Sequence, residues 1–262
     1  MKLAASNLGW AAEHDELAWE LMKELGYTGL EIAPTRIFPE APYECLNGAA
    51  LFAGVMYQKY GFVIPSMQSI WFGQSGSIFD AQDAVRLEEY TAMAYEFARA
   101  CRCDSLVFGC PRQRNVPEGR SPEEAEAFFA RLGLAAAKAG VRLAMEANPP
   151  IYNTNYLNTT REAFALVKKL GLPGLSVNLD VGTMIANGEN PADFALDMKY
   201  VSHIHISEPG LNAIQERPIH RQLALLLGAV GYKGFVSVEM KAQEPEELRR
   251  CLTYVKEVFA SV

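Results

Sequence analysis

Histidine is scarce. The 262 residues contain four, His14, His203, His205 and His220, a number that bears on which enzyme readings are open. Cysteine is scarce too. Cys45, Cys101, Cys103, Cys110 and Cys251 are odd in number and contain no CxxC pair. That excludes a disulfide framework and a cysteine-type zinc site, and fits reduced thiols in a cytoplasm. No apolar run reaches the roughly 20 residues of a membrane helix, and residues 1–7 carry no apolar leader segment. Positive charge is in short supply, with 24 Lys+Arg against 31 Asp+Glu and a net charge of −7. Nucleic-acid binding draws on clustered cations, so that balance speaks against it. The expectation is a soluble, cytoplasmic protein with neither a membrane nor a nucleic acid as partner. A homo-oligomer remains open.

What is present is globular: 50% hydrophobic and 21% charged residues. Short β-rich runs fall at 3–6, 30–33, 63–68, 105–109, 142–146, 175–180, 202–206 and 235–239. Most are continuously apolar, as strands buried on both faces are. Between them apolar residues recur at helical spacing, as at Leu17, Leu21 and Leu25, or Leu87, Met93 and Phe97. Helices are expected over 16–25, 84–100, 123–139 and 245–259, among others. Ser121-Pro122-Glu123-Glu124 reads as a capped helix start, and Gly26, Gly61, Gly140, Gly171 and Gly231 as helix ends. Eight strands alternate with eight helices, about 33 residues per unit, with no Pro/Ser-rich linker between them. That is the arithmetic of a single-domain α/β chain spanning 1–262, a (β/α)8 TIM barrel. A doubly wound sheet would want a GxGxxG loop after strand one, and Ser6-Asn7-Leu8-Gly9-Trp10 has none.

In such a barrel the active site gathers at the C-terminal strand ends. Glu146, Asp180, His205 and Glu239 end four consecutive strands, 34, 25 and 34 residues apart. Three carboxylates converging in a partly dry pocket repel one another, and a divalent cation relieves that repulsion. Three oxygens and one imidazole suit Mn²⁺, Mg²⁺ or Co²⁺, and Zn²⁺ is compatible. His203 and His205 share one face of strand seven. One could be a ligand and the other a support or substrate contact, while a satisfied core histidine is the plainer alternative for His203. Glu31, at the end of strand two, could equally be a loop's hydrogen-bond partner.

At these residues the chain resembles the xylose isomerase-like TIM-barrel superfamily of sugar phosphate isomerases and epimerases. The resemblance spans essentially the whole chain and is strongest over 143–241. In the ketose 3-epimerases, of tagatose and psicose type, the metal ligands are a Glu on strand five, an Asp on strand six, the second His of a His-x-His pair and a Glu on strand eight. Glu146, Asp180, His205 and Glu239 match them, and Glu31 matches a recurrent acid. Two positions depart. Those epimerases carry a His three residues after the strand-six Asp and an Arg six residues after the metal His; here stand Thr183 and Leu211. The departures put a free-ketose substrate in doubt and leave the metal set intact.

The resemblance implies a divalent-metal-dependent sugar or sugar phosphate isomerase or epimerase, in which Glu146 and Glu239 exchange a proton with the substrate through an enediolate. Return of the proton to the same carbon epimerises; return to its neighbour isomerises. The expected substrate contacts are Glu31, Gln68, Trp71, Asn148, His203, Arg217 and His220, the last two as substitutes for the missing Arg. The 148–156 loop reads as a lid, and Arg112 and Arg114 as anion holders or a solvated pair. Other outcomes stay open within the superfamily: hydroxypyruvate isomerase, a keto-inositol or dehydroshikimate dehydratase, or a sugar-binding barrel without activity. An endonuclease IV-type nuclease needs a trinuclear zinc cluster that four histidines cannot easily fill.

Overall fold

The computed structural model describes residues 1–259. Its elements alternate as the sequence predicts: β1 (Lys2–Ser6), α1 (Asp15–Glu24), β2 (Gly29–Glu31), a short α2 (Pro34–Ile37), α3 (Leu46–Tyr60), β3 (Ser66–Met67), α4 (Ala81–Cys101), β4 (Ser105–Phe108), α5 (Glu124–Ala139), β5 (Arg142–Glu146), α6 (Thr160–Leu170), β6 (Leu175–Asp180), α7 (Val181–Asn187), β7 (Val201–Ile206), α8 (Pro218–Val230), β8 (Phe235–Val238) and α9 (Pro245–Phe259). A ten-residue 3₁₀ segment, Pro191–Tyr200, completes the outer layer between α7 and β7.

The eight strands are parallel and pair in the order β2-β1-β8-β7-β6-β5-β4-β3. Two isolated bridges, Gly29 with Val63 and Ile32 with Met67, bring the free edges together. The chain is therefore a single-domain (β/α)8 barrel. The third strand is shorter than its hydrophobicity predicts. Pro65 has no N–H to give the ladder, so regular pairing survives only at Ser66–Met67.

The helices pack on the barrel through stripes set by their own spacing. In α9 the buried residues are Leu248, Cys251, Leu252, Val255 and Phe259, three or four apart. Each such leucine or phenylalanine contributes about 1.5–3 kcal/mol by leaving water. All five glycines expected at helix ends have positive φ, from 60° to 80°. The expected cap at Ser121 is displaced: α5 starts at Glu124, and Ser121 instead gives its backbone N–H to the Glu124 carboxylate. Among the described residues no helix is long and apolar enough to cross a membrane.

Candidate metal centre

Four neighbouring strands deliver one donor each. Glu146 ends β5, Asp180 ends β6, His205 lies in β7, and Glu239 follows β8. Their ligand atoms all lie within 4.8 Å of one another, and all four side chains are buried or nearly so. Parallel register explains the convergence, because Asp180 pairs with His205 and His205 with Ser237, two residues before Glu239 in the same run. The main chain holds each donor in place. Asp180 caps α7, accepting from the Thr183 N–H at 2.6 Å, and also accepts from the Ser207 hydroxyl. Arg114, fully buried, donates to the Glu146 carbonyl at 2.9 Å and to Asn148 Oδ1 at 2.9 Å. Gly109 gives the Glu146 carboxylate room, since a Cβ there would lie 2.9 Å from Oε1.

His205 is aimed by its neighbours. Nδ1 faces the cluster, 3.2 Å from Glu146 Oε2 and 3.1 Å from Glu239 Oε2. Nε2 points the other way, 2.9 Å from Glu31 Oε2. The same Glu31 oxygen accepts from Ser66 Oγ at 2.5 Å and lies 2.7 Å from His203 Nε2. Glu31 and His203 were expected to touch substrate, and both lie elsewhere. They sit fully buried behind His205, inside the barrel. A carboxylate behind a ligating imidazole fixes its tautomer and raises its basicity. Glu31→Gln should therefore weaken Mn²⁺ binding by about 10–100-fold. Competition with a fluorescent chelator measures this, and an unchanged affinity would detach Glu31 from His205's role.

Burial and crowding set the charges of the ion-free cluster. Burial, reinforced by the Glu146 charge, pushes Asp180 up to about 6. Burial, with Glu146 and Asp180 adding repulsion, pushes Glu239 up to about 7 although His205 opposes it. Burial also acts on Glu146, but its contacts with His205, Asn148 and Asn178 hold it below the usual carboxylate value. Burial disfavours the His205 imidazolium, yet Glu239, Glu31 and Glu146 together hold its pKa well above the usual value.

A raised carboxyl favours folding while protonated, so the ion-free fold loses stability as pH rises from about 4.5 to about 7 at Glu239. A divalent ion must displace the His205 Nδ1 proton and those left on the carboxyls. At pH 7 Mn²⁺ binding should release at least about one proton, and affinity should fall about tenfold per pH unit below that. Calorimetry in buffers of different ionisation heat counts the protons; no release would contradict the charge assignment.

The cluster floors a cavity of about 200 Å³, walled by Gln68, Asn148, Tyr152, Cys110 and Leu211 among others. Gln68 and Asn148 lie where the sequence expects substrate contacts. Three further expected contacts do not. Trp71 is buried, its Nε1 donating to Thr91 Oγ1 at 2.8 Å and its ring packed edge-on to Phe108, so it cannot stack on a sugar. Arg217 is held by Glu208, with Nη2 2.6 Å from Oε2. His220 is buried on α8, with Nδ1 3.0 Å from the Tyr254 hydroxyl. Arg114, read as an anion holder or half of a solvated pair, is neither: it is fully buried and spends its guanidinium on the main chain and Asn148.

Sequence reasoning missed Asn178 and Tyr152. Asn178 Nδ2 donates to Glu146 Oε2 at 2.6 Å, and its place one pleat before Asp180 was the available signal. Tyr152 crosses the mouth, its hydroxyl accepting from the Gly210 N–H at 3.0 Å. The 148–156 loop that carries Tyr152 is tied down: Asn115 donates to the Asn153 carbonyl at 3.0 Å, and Asn155 to the Val116 carbonyl at 2.9 Å.

The model of the xylose isomerase-like TIM barrel family matches residues 19–257. No curated protein sequence matches the chain. Solved structures do. D-psicose 3-epimerase with D-tagatose from Clostridium cellulolyticum H10 superposes at a TM-score of 0.77 and 16% identity, covering 100% of this chain and 99% of that one. The 3-keto-D-glucoside 4-epimerase YcjR from E. coli gives 0.76 and 17%, covering 98% and 99%. The IolI protein with a bound zinc atom gives 0.70 and 17%, covering 100% and 96%. At such identities the likeness is one of fold.

Proposed function

The chain belongs to the xylose isomerase-like TIM barrel family, and from that premise we propose that it is a divalent-metal-dependent epimerase or isomerase of an unphosphorylated monosaccharide. The observation that carries this is the four-donor cluster, its ligand atoms within 4.8 Å of one another at the floor of a cavity. Glu146, Asp180, Glu239 and Nδ1 of His205 would hold the ion. Three oxygens and one nitrogen suit Mn²⁺, Mg²⁺ or Co²⁺, and Zn²⁺ fits the same donors. When bound, the ion supplies Lewis acidity that makes a C–H beside a carbonyl easier to ionise.

The proton work falls to this chain's carboxylates. Glu146 and Glu239 come from strands β5 and β8 and both reach the cavity. One accepts the proton from the carbon, and the other returns one. Burial raises both and His205 lowers both; the amides of Asn148 and Asn178 keep Glu146 the more acidic, while repulsion from Glu146 and Asp180 keeps Glu239 the more basic. Asp180 and His205 serve as ligands only, Asp180 being held by Ser207 and Thr183 and His205 by Glu31.

The walls narrow the substrate. A cavity of about 200 Å³ is smaller than the 300–1,000 Å³ typical for drug-sized ligands, and suits one sugar ring or chain. Among the described residues no lysine or arginine lines it, which favours a neutral sugar over a phosphorylated one. Leu211 occupies the wall where the ketose 3-epimerases carry an arginine, and the Thr183 hydroxyl is committed to the Ala147 carbonyl at 2.7 Å. Gln68, Asn148 and Tyr152 are left to bind hydroxyls.

The test is a panel of ketoses, aldoses and their phosphates, incubated with Mn²⁺-loaded protein in D₂O. Deuterium should appear beside the carbonyl of at least one free sugar, and its phosphate should exchange more slowly. No exchange across the panel would overturn the proposal.

A further inference from the structure

A second cavity lies at the opposite end of the barrel. It has a volume of about 860 Å³ and opens at the N-terminal strand ends. Its rim carries Lys2, Arg102, Arg142, Lys199 and Lys233 against one acid, Asp104. In a protein of net charge −7 this is a concentration of the opposite sign. The cations arrive on separate elements. Lys2 opens β1 and Arg142 opens β5, while Arg102 ends α4; Lys199 and Lys233 lie just before β7 and β8.

Among the described residues none of the five forms an ion pair. Elsewhere the surface cations commonly do, as at Arg131 with Glu88, Lys168 with Asp197 and Arg249 with Glu24. Lys2 and Lys199 instead lie over the Phe235 and Tyr200 rings, at 5.4 and 5.2 Å. A concave wall lined by one sign focuses its field on the space inside. Between the charges the wall carries the apolar Val63, Leu196 and Phe235 beside Ser105, Ser202 and Tyr232.

We propose that this basal cavity binds a small polyanion bearing two or more linked phosphates. Its volume lies within the range of small-molecule sites. Several cations on one concave wall suit a chain of phosphates, whose charge is spread over several oxygens, better than a single phosphate. The phosphates could belong to an inorganic chain or to a nucleotide whose base lies on the apolar wall. The site is separate from the metal centre, since His203 closes its inner end and Glu31 and His205 lie beyond.

Isothermal titration of metal-free protein with tripolyphosphate, ATP and orthophosphate tests this. Tripolyphosphate should bind about one per chain. Raising salt from about 20 to about 200 mM should weaken it. Lys199→Glu with Lys233→Glu should weaken it at least about tenfold, and the milder Lys199→Ala with Lys233→Ala by less. Mn²⁺ stoichiometry should be unchanged in both variants, showing that the barrel is intact. ATP binding tighter than tripolyphosphate would identify a nucleotide; equal or weaker binding would identify the inorganic chain. Either result supports the site. No saturable binding of tripolyphosphate or ATP, orthophosphate binding as tightly as either, or equal binding in the variants and wild type would overturn it.

Discussion

Asp180→Asn combined with Glu239→Gln should take the protein from about one Mn²⁺ per chain to none. The two amides keep the shape of the cluster but remove two of its three anionic donors. Glu146 and His205 remain, and two ligands do not hold a divalent ion against water. The expected loss of affinity is on the order of 10³-fold or more, read by elemental analysis after loading and gel filtration. The ion-free variant should also be at least as stable as wild type at pH 8. Asp180 and Glu239 are the two carboxyls whose pKa values crowding raises, so their charged forms work against folding there. An unchanged metal content would remove the centre from these residues.

Glu146→Gln and Glu239→Gln, each at saturating Mn²⁺, should lower deuterium exchange into the sugar by about 10²–10⁴-fold, the usual worth of a positioned acid or base. Asp180→Asn under the same saturation should retain more activity, since Asp180 contributes a ligand and no proton. The comparison separates proton carriage from metal retention, which would be lost together without added ion. Equal losses in all three variants would mean that the two glutamates act only as ligands.

That Glu146, Asp180, His205 and Glu239 come together was legible in sequence because the signal is local. Each lies at or near the end of a strand, and parallel strands in a barrel present such ends together. The helix-ending glycines were legible for a similar reason, as a left-handed residue is demanded at those positions whatever the tertiary setting. Trp71 was not legible. A loop tryptophan after a strand can face the cavity or turn under a helix, and only the Thr91 hydroxyl and the Phe108 ring decide.

Arg217 and Arg114 were misread because an arginine in sequence has no visible partner. Glu208 and the Glu146 carbonyl are nine and 32 residues away in the chain. For Glu31 the neighbourhood was legible and the depth was not. It ends a strand as Glu146 and Asp180 do, but its carboxylate meets the rear of the His205 ring.

Pro65 gives the barrel a weak side. Where β2 meets β3, the chain offers two separated sets of bonds: Leu30 and Val63 exchange with 63 and 28 below the proline, Ile32 and Gln68 with 66 and 32 above it. Local opening draws on such sparsely bonded stretches well before the whole fold melts. Glu31 lies between the two sets. A breathing motion there would slacken the carboxylate behind His205 while leaving the four donors' own strands paired. Retention of the ion would then be governed by the fluctuations of one seam, and its leakage from a folded barrel would keep time with that seam, not with global unfolding.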